Sequence, residues 1–411
     1  MDQIIDFSKC KRAHAVYGGS DRKFGVVYNG STYMLKFSDH HAKRSDVSTS
    51  YVNNVISEYI SSHIANSVGL STHETFLGFY YDELVVGCKD FRSGPSCNII
   101  EFSEYLRARY SSKEMSRILR LDQIYESLQD PNNDIPVFLQ RQAIDRYWDT
   151  FVIDALVGNF DRHSGNWGFL FQDNTLSLAP VYDFGSSLFP NLSDLGMEEM
   201  MNSNYEMIRR CLVFPSSSIA LTREKIGKAG YYDLLSSNYD ENCTAAVLRM
   251  FPKIDLDIIF QIIEDTPLIS NIRKQFYKQI LELRFELVLS RAYYRCLTRD
   301  FDGNAQQRLE LGETVSDLEL NRIVSGRNSA ASIFKKNEET MKKFFAINSM
   351  ESLHEGNCQN NNDGFWSIVS NQTELLKEYG FRSSIMPDIV RLIPQDSKQA
   401  FCKPDVFDLS L

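Results

Sequence analysis

The first clearly patterned stretch is Phe24-Gly25-Val26-Val27-Tyr28, followed by Thr32-Tyr33-Met34-Leu35-Lys36-Phe37. Both runs are β-branched and aromatic, and Asn29-Gly30 between them is a strong tight-turn signal, so a hairpin is expected. Residues 38–50 are polar, with Ser, Asp, His and Lys, and read as a mobile loop. Over 51–68, Val52, Val55, Ile56, Tyr59, Ile60 and Ile64 recur at helical spacing, which predicts an amphipathic helix. Two further strands are expected near 75–81 and 84–88. Strand, strand, helix, strand, strand is the order of a small α+β lobe.

The pattern changes after Asp90-Phe91-Arg92-Ser93-Gly94-Pro95, which reads as a connector. From about 100 to 300 the chain is expected to be mainly helical. Ile144, Trp148, Phe151, Val152, Ala155 and Leu156 share one broad face, so 142–157 is predicted to be a buried helix that stops at Gly158-Asn159. Phe169-Leu170-Phe171 and Leu176-Ser177-Leu178 flank a turn at Asp173-Asn174 and predict a second hairpin. Ile272, Phe276, Ile280, Leu283 and Leu287 place one long helix over 272–296. Beyond 300 the pattern weakens, with amphipathic pieces at 332–346 and 366–378. The expected organisation is an N-lobe at 1–92, a C-lobe at 93–300 and a mostly helical extension of unassigned role at 301–411.

Composition narrows the functional class. The 411 residues are 43% hydrophobic and 24% charged with a net charge of -10, an ordinary globular balance. That charge argues against affinity of the whole protein for nucleic acid, which normally needs a basic face. None of the eight cysteines falls at C-x-x-C spacing, which disfavours a paired-cysteine zinc site and fits reduced thiols. No basic-then-apolar leader opens the sequence and no apolar run approaches the ~20 residues of a membrane span, so the expected setting is the cytoplasm, with no membrane association.

Phosphoryl transfer needs a carboxylate to orient the attacking hydroxyl, acceptor ligands for Mg²⁺, a cation on the nucleotide and a glycine turn close to it. Asp161 and Asn166 have the D-x-x-x-x-N spacing of a kinase catalytic loop, and Asp183 of Asp183-Phe184-Gly185 follows 17 residues later across the predicted hairpin. Asp161 is the candidate base, and Asn166 and Asp183 the candidate metal ligands. Taken singly, each of these residues would also suit a helix cap or a turn. His163 either contacts the transferring phosphate or braces the loop, and Arg162 is expected to pair with a local carboxylate. Lys36, closing an apolar strand, is the candidate phosphate cation, with Glu58 as its partner; the alternatives are a strand-edge lysine and a surface glutamate. Gly18, Gly19 and Ser20 either approach phosphate or form a simple turn. Cys88-Lys89-Asp90-Phe91 either forms a hinge whose backbone binds adenine, through Lys89 and Asp90, or is a plain linker.

The run Asn159-x-Asp161-Arg162-His163-x-x-Asn166, with Ala179-Pro180-Val181-Tyr182-Asp183-Phe184-Gly185-Ser186-Ser187-Leu188, resembles the HipA-type serine/threonine kinases. Its Asp-Arg-His-x-x-Asn element is also similar to phosphatidylinositol 3- and 4-kinases. The resemblance is sharp over 140–190, looser over 15–92, and fades after about 300. It implies a two-lobed kinase fold, ATP with Mg²⁺, transfer to a protein Ser or Thr, and a toxin-like or regulatory role with an antitoxin-like protein partner. By the same match Asp161 would be catalytic, Asn166 and Asp183 metal-binding, and Lys36 nucleotide-binding. The family's autophosphorylated serine ahead of the loop glycine is replaced here by Val16 and Tyr17, which leaves Ser20 as the loop serine to take that role. Two other functions remain: a lipid kinase, which the acidic Asp194, Glu198, Glu199 and Glu206 behind Gly185 disfavour, and a kinase fold acting only as a binding module.

Overall fold

The computed structural model of the chain describes residues 4–14, 17–18, 22–38, 53–92, 94, 96–111, 119–212, 214–220, 228–236 and 240–298. Gly19, Ser20, most of the predicted loop at 38–50 and the extension at 301–411 lie outside the described residues. One compact unit holds the described residues up to 202 together with 210–292, and a second holds 203–209 and 293–298. The site lies in the first.

That unit opens with β1 (Ile5–Asp6), β2 (Lys11–Arg12), β3 (Lys23–Tyr28), β4 (Ser31–Phe37), α1 (Asn54–Ser67), β5 (Thr75–Tyr80) and β6 (Glu83–Lys89). The six strands form one sheet in the order β1-β5-β6-β4-β3-β2, antiparallel except for the parallel β1–β5 edge. The β3–β4 hairpin turns at Asn29 and Gly30, both at positive φ (48° and 79°) as the two-residue turn requires. Alternation along β4 sends Tyr33, Leu35 and Phe37 to one face, where they pack with Ile5, Phe7, Val26 and Val85. Phe7 is fully buried, which contributes about 2 kcal/mol. Its ring lies where a Cβ on Gly78 or Gly87 would stand. Lys36 takes the opposite face, towards α1.

The helix predicted over 51–68 is present as α1, but its burial extends beyond the apolar face that the spacing marks. Ser57, Glu58, Ser61 and Ser62 are buried along with Val55, Ile56, Tyr59 and Ile60. The reason is a second wall: α1 packs on β5 and β6 and also on two later helices, α4 (Val137–Val157) and α9 (Leu256–Asp265).

The rest of the unit is mainly helical: α2 (Phe102–Arg109), α3 (Leu121–Leu128), α4 (Val137–Val157), α5 (Asp194–Met201), α7 (Tyr231–Leu235), α8 (Glu241–Met250), α9 (Leu256–Asp265) and α10 (Asn271–Arg284); α6 (Asn204–Leu212), which precedes α7 in the chain, falls mostly in the second unit. The predicted second hairpin is present as β9 (Gly168–Gln172) and β10 (Thr175–Leu178). It is joined by strands that the sequence pattern does not reveal: β7 (Asn98–Glu101) pairs with β9, and the two-residue β8 (Leu119–Arg120) pairs with β11 (Ile219–Ala220). Segments of two to four residues are too short to carry an alternation signal. The single helix expected over 272–296 is interrupted by a π-helical turn at Phe285–Ser290, with α-helix resuming at Arg291. Among the described residues no helix is long and apolar enough to cross a membrane.

Candidate active site

Helix α4 delivers the catalytic-loop sequence. It runs through a core of Trp148, Phe151, Val152 and Leu156 and stops at Gly158, whose φ of 67° is the left-handed conformation that ends helices. A side chain at that glycine would run into the guanidinium of the buried Arg284. The loop that follows is held by its own residues. The Asp161 carbonyl accepts from His163 N (2.8 Å) and from Asn166 Nδ2 (2.8 Å), and Asn159 Oδ1 accepts from Asp161 N at 3.1 Å. His163 is exposed, and its Nδ1 accepts from Gly165 N at 3.0 Å, so the ring braces the loop with one nitrogen and leaves the other free to face a ligand.

Arg162 anchors the loop from beneath. Its Nε and Nη2 donate to Asp154 Oδ2 and Oδ1 at 2.8 and 3.0 Å, a bidentate pair with side chains 5% and 0% exposed. Its Nη1 donates to the carbonyls of Asn166 and Tyr182. Burial works against the charge, but Asp154 outweighs it and keeps Arg162 firmly cationic. One arginine therefore fixes both the catalytic loop and the residue before Asp183. The sequence suggests a local carboxylate partner for Arg162; Asp154, inside an apolar helix eight residues upstream, carries no motif that identifies it.

Asp183 has a φ of 66°, a region few non-glycine residues occupy. It is pinned on both sides: the Tyr182 carbonyl takes the Arg162 hydrogen bond, and Phe184 N donates to Glu58 Oε1 at 3.1 Å. Such over-determination is what sustains an uncommon backbone conformation.

The two lobes meet at Lys36. Its ammonium donates to Glu58 Oε2 at 2.7 Å and to Asp183 Oδ1 at 2.9 Å. Lys36 is thus not a solvated edge lysine, nor is Glu58, with no exposure, a surface glutamate. Burial disfavours the lysine charge, yet Asp183 and Glu58 together hold it above its ordinary value. Burial pushes Glu58 and Asp183 upward, but Lys36 with His73 for Glu58, and Lys36 with Arg162 for Asp183, leave both carboxyls below their usual range. Asp183 keeps 39% of its side chain exposed towards the cleft. Asp161 opens to the same cleft; partial desolvation lifts its carboxyl, opposed by His163.

Of the remaining predicted residues, Lys89 closes β6 and Asp90 follows it. Asp90 N donates to Thr32 O at 2.9 Å, while the Asp90 carboxylate accepts from Tyr17 OH at 2.9 Å and from Arg92 Nη2 at 2.6 Å. Tyr17, next to Gly18, is therefore tied to this segment, with the Arg92 guanidinium 4.9 Å from its ring centre. The Lys89 side chain is engaged at the surface with Glu74 at 2.7 Å. Phe91 packs against Tyr182, ring centres 5.8 Å apart. Gly18 is described, with open space around it.

One close neighbour carries no motif in the sequence. His73, 4% exposed, places Nε2 at 2.9 Å from Glu58 Oε1 and 3.2 Å from Ser62 Oγ. A lone histidine before a strand gives no signal; only the fold brings it to Glu58.

A two-lobed fold with this lysine–glutamate–aspartate cluster belongs to the protein-kinase-like class. Residues 15–229, just over half of the chain, match the family described as the HipA-like C-terminal domain, and the chain belongs to that family. Among individual proteins, the serine/threonine-protein kinase CtkA of Helicobacter pylori (strain J99) is 33% identical over 298 residues, covering 71% of this chain and 89% of the relative. The crystal structure of a Helicobacter pylori proinflammatory kinase CtkA matches with a TM-score of 0.66 at 32% identity, over 74% of this chain and all of that one (100%). HipA of Shewanella oneidensis MR-1, solved with HipB and operator DNA, shares 14% identity over 70% of this chain and 65% of that chain at a TM-score of 0.41.

Proposed function

We propose that this chain, a serine/threonine protein kinase of the HipA-like kind, takes ATP with Mg²⁺ as its phosphoryl donor and a protein Ser or Thr hydroxyl as its acceptor. The observation that carries this reading is Lys36 held between Glu58 at 2.7 Å and Asp183 at 2.9 Å, a fixed cation beside a partly open carboxylate. Lys36 would bind the nucleotide phosphates, with Glu58 keeping it aimed. Asn166 and Asp183 fit a hard cation. The amide nitrogen of Asn166 is committed to the Asp161 carbonyl, which leaves its oxygen as the ligand atom, and Asp183 is held charged. Mg²⁺ bound there would offset phosphate charge as it develops on the transferring group.

Asp161 orients the acceptor hydroxyl and receives its proton as the new phosphate ester bond forms and the bond to ADP breaks. His163 offers a second contact to the transferring group from the same loop. The turn at Gly18, Gly19 and Ser20 would bring backbone N–H groups to the phosphates, and the main chain at Lys89 and Asp90 would meet the base. A protein acceptor is favoured over an anionic lipid because α5, following Gly185, carries Asp194, Glu198 and Glu199. Family membership also motivates a search for an antitoxin-like protein partner.

Calorimetric titration of ATP, with Mg²⁺ and with a chelator, tests the nucleotide site. Wild type is expected to bind in a Mg²⁺-dependent way, and Asp183→Ala to lose about tenfold or more of that affinity. Equal binding by both proteins with and without the metal would contradict the assignment.

A further inference from the structure

Glu58 is fully buried, and a buried carboxylate must find donors for both oxygens. Oε2 takes the Lys36 ammonium; Oε1 takes Phe184 N at 3.1 Å and His73 Nε2 at 2.9 Å. An ionised carboxylate only accepts, so His73 Nε2 carries the proton and donates. The main chain of His73 is itself fixed to the segment that leads to Asp183. His73 N donates to Val181 O at 3.1 Å, Val181 N donates to Ser71 O at 2.7 Å, and Thr72 and Val181 form a parallel bridge. His73 therefore touches the chain two residues before Asp183 with its backbone and the partner of Lys36 with its ring.

We propose that His73 is a positioning residue for phosphoryl transfer, a clamp that fixes Glu58 relative to the Asp183 segment and so keeps Lys36 aimed into the cleft. This deepens the kinase reading above and rests on it. The clamp acts through a competition visible in the structure. Lys36 is shared between Glu58 and Asp183. With Oε1 anchored, the Glu58 carboxylate cannot rotate, and Oε2 stays on Lys36. Without His73, Oε1 keeps only the Phe184 N–H as a donor, the carboxylate can turn, and the ammonium shifts towards Asp183, where it would compete for the oxygen assigned to the metal. Cys88, buried beside Glu58 and His73, completes a cluster that has the composition of a metal site. Burial and the nearby Glu58 charge hold its thiol protonated, and Lys36 already occupies Glu58, so the cluster reads as the packed back of the clamp.

The test compares wild type with His73→Ala and His73→Gln, whose amide nitrogen can replace the ring donor. The expected result for His73→Ala is a fall of about tenfold to a hundredfold in kcat with a raised KM for ATP, an unchanged KM for the protein acceptor, and recovery to within about threefold in His73→Gln. The second readout needs no turnover: the rate at which an amine-reactive reagent labels Lys36, followed by mass spectrometry on folded protein. It should rise in His73→Ala and return towards wild type in His73→Gln. Unchanged Lys36 labelling in His73→Ala, or a loss of activity that only tracks the folded fraction and is not recovered by Gln, would overturn the proposal. If the nucleotide assignment itself fails, turnover is absent in wild type too while the labelling comparison still decides the clamp.

Discussion

Asp161 and Asp183 are both aspartates of one cleft, yet their surroundings push them in opposite directions. Asp183 is drawn down by Lys36, and Asp161 is lifted by partial desolvation and the nearby Asp183 charge, against the pull of His163 and Lys228. A charged, pinned carboxylate suits metal ligation; a carboxylate nearer to protonation, on an open loop, suits hydroxyl alignment. The two residues should therefore fail differently. Asp161→Ala is expected to lower kcat by about 10² to 10⁴ while leaving MgATP affinity within about threefold of wild type, whereas Asp183→Ala should lose nucleotide affinity as well. Steady-state kinetics beside equilibrium binding separates the two outcomes, and an Asp161 variant that loses MgATP binding would contradict the division of roles.

At the scale of elements, the catalytic loop keeps its shape because α4 supplies a buried carboxylate to it. Asp154 lies near the end of a helix with an otherwise apolar interior, and its charge is met by Arg162 and by Asn159 Nδ2 at 3.0 Å. Removing one partner of so buried a pair leaves the other charge uncompensated, so Arg162→Ala should destabilise the fold by roughly 3–5 kcal/mol, read as a lowered urea midpoint. The link between Tyr17, Asp90 and Arg92 has a pH signature. Burial tends to raise the Asp90 carboxyl, but its bonds to Arg92 and Tyr17 leave it below the ordinary value. A depressed carboxylate contributes stability that is fully present above the unfolded value of about 3.9 and is lost as the pH falls through the lower folded value. Asp90→Asn should therefore lower Tm at pH 7 by about 2–4 °C, with the gap to wild type constant down to about pH 5 and closing below pH 4. A gap that widens in acid would contradict the assignment.

Across the molecule, the sequence was legible where local chemistry decides the outcome. Asn29-Gly30 marks the β3–β4 hairpin, Gly158 the end of α4, and Asp173-Asn174 the β9–β10 turn, each at positive φ in the structure. The alternation of β4 also fixes which face Lys36 takes. The spacing of Asp161, Asn166 and Asp183 stands out because a catalytic loop and the hairpin after it are continuous in the chain. What depends on distant segments stayed hidden. The burial of the polar side of α1 follows from α4 and α9, far later in the chain, and the short strands β7, β8 and β11 have partners far away in sequence. Asp154 and His73 belong to no motif, because their importance comes from what the fold sets beside them. The central claim is that Lys36, Glu58 and Asp183 form a working phosphoryl-transfer site, and transfer itself tests it most directly. Protein incubated with γ-labelled ATP and Mg²⁺, with and without a bacterial lysate as acceptor, would be resolved by phosphoamino-acid analysis for wild type and Asp183→Ala. The expected result is label on Ser or Thr of protein in wild type and none with the variant; no label in either, or equal label in both, would contradict it.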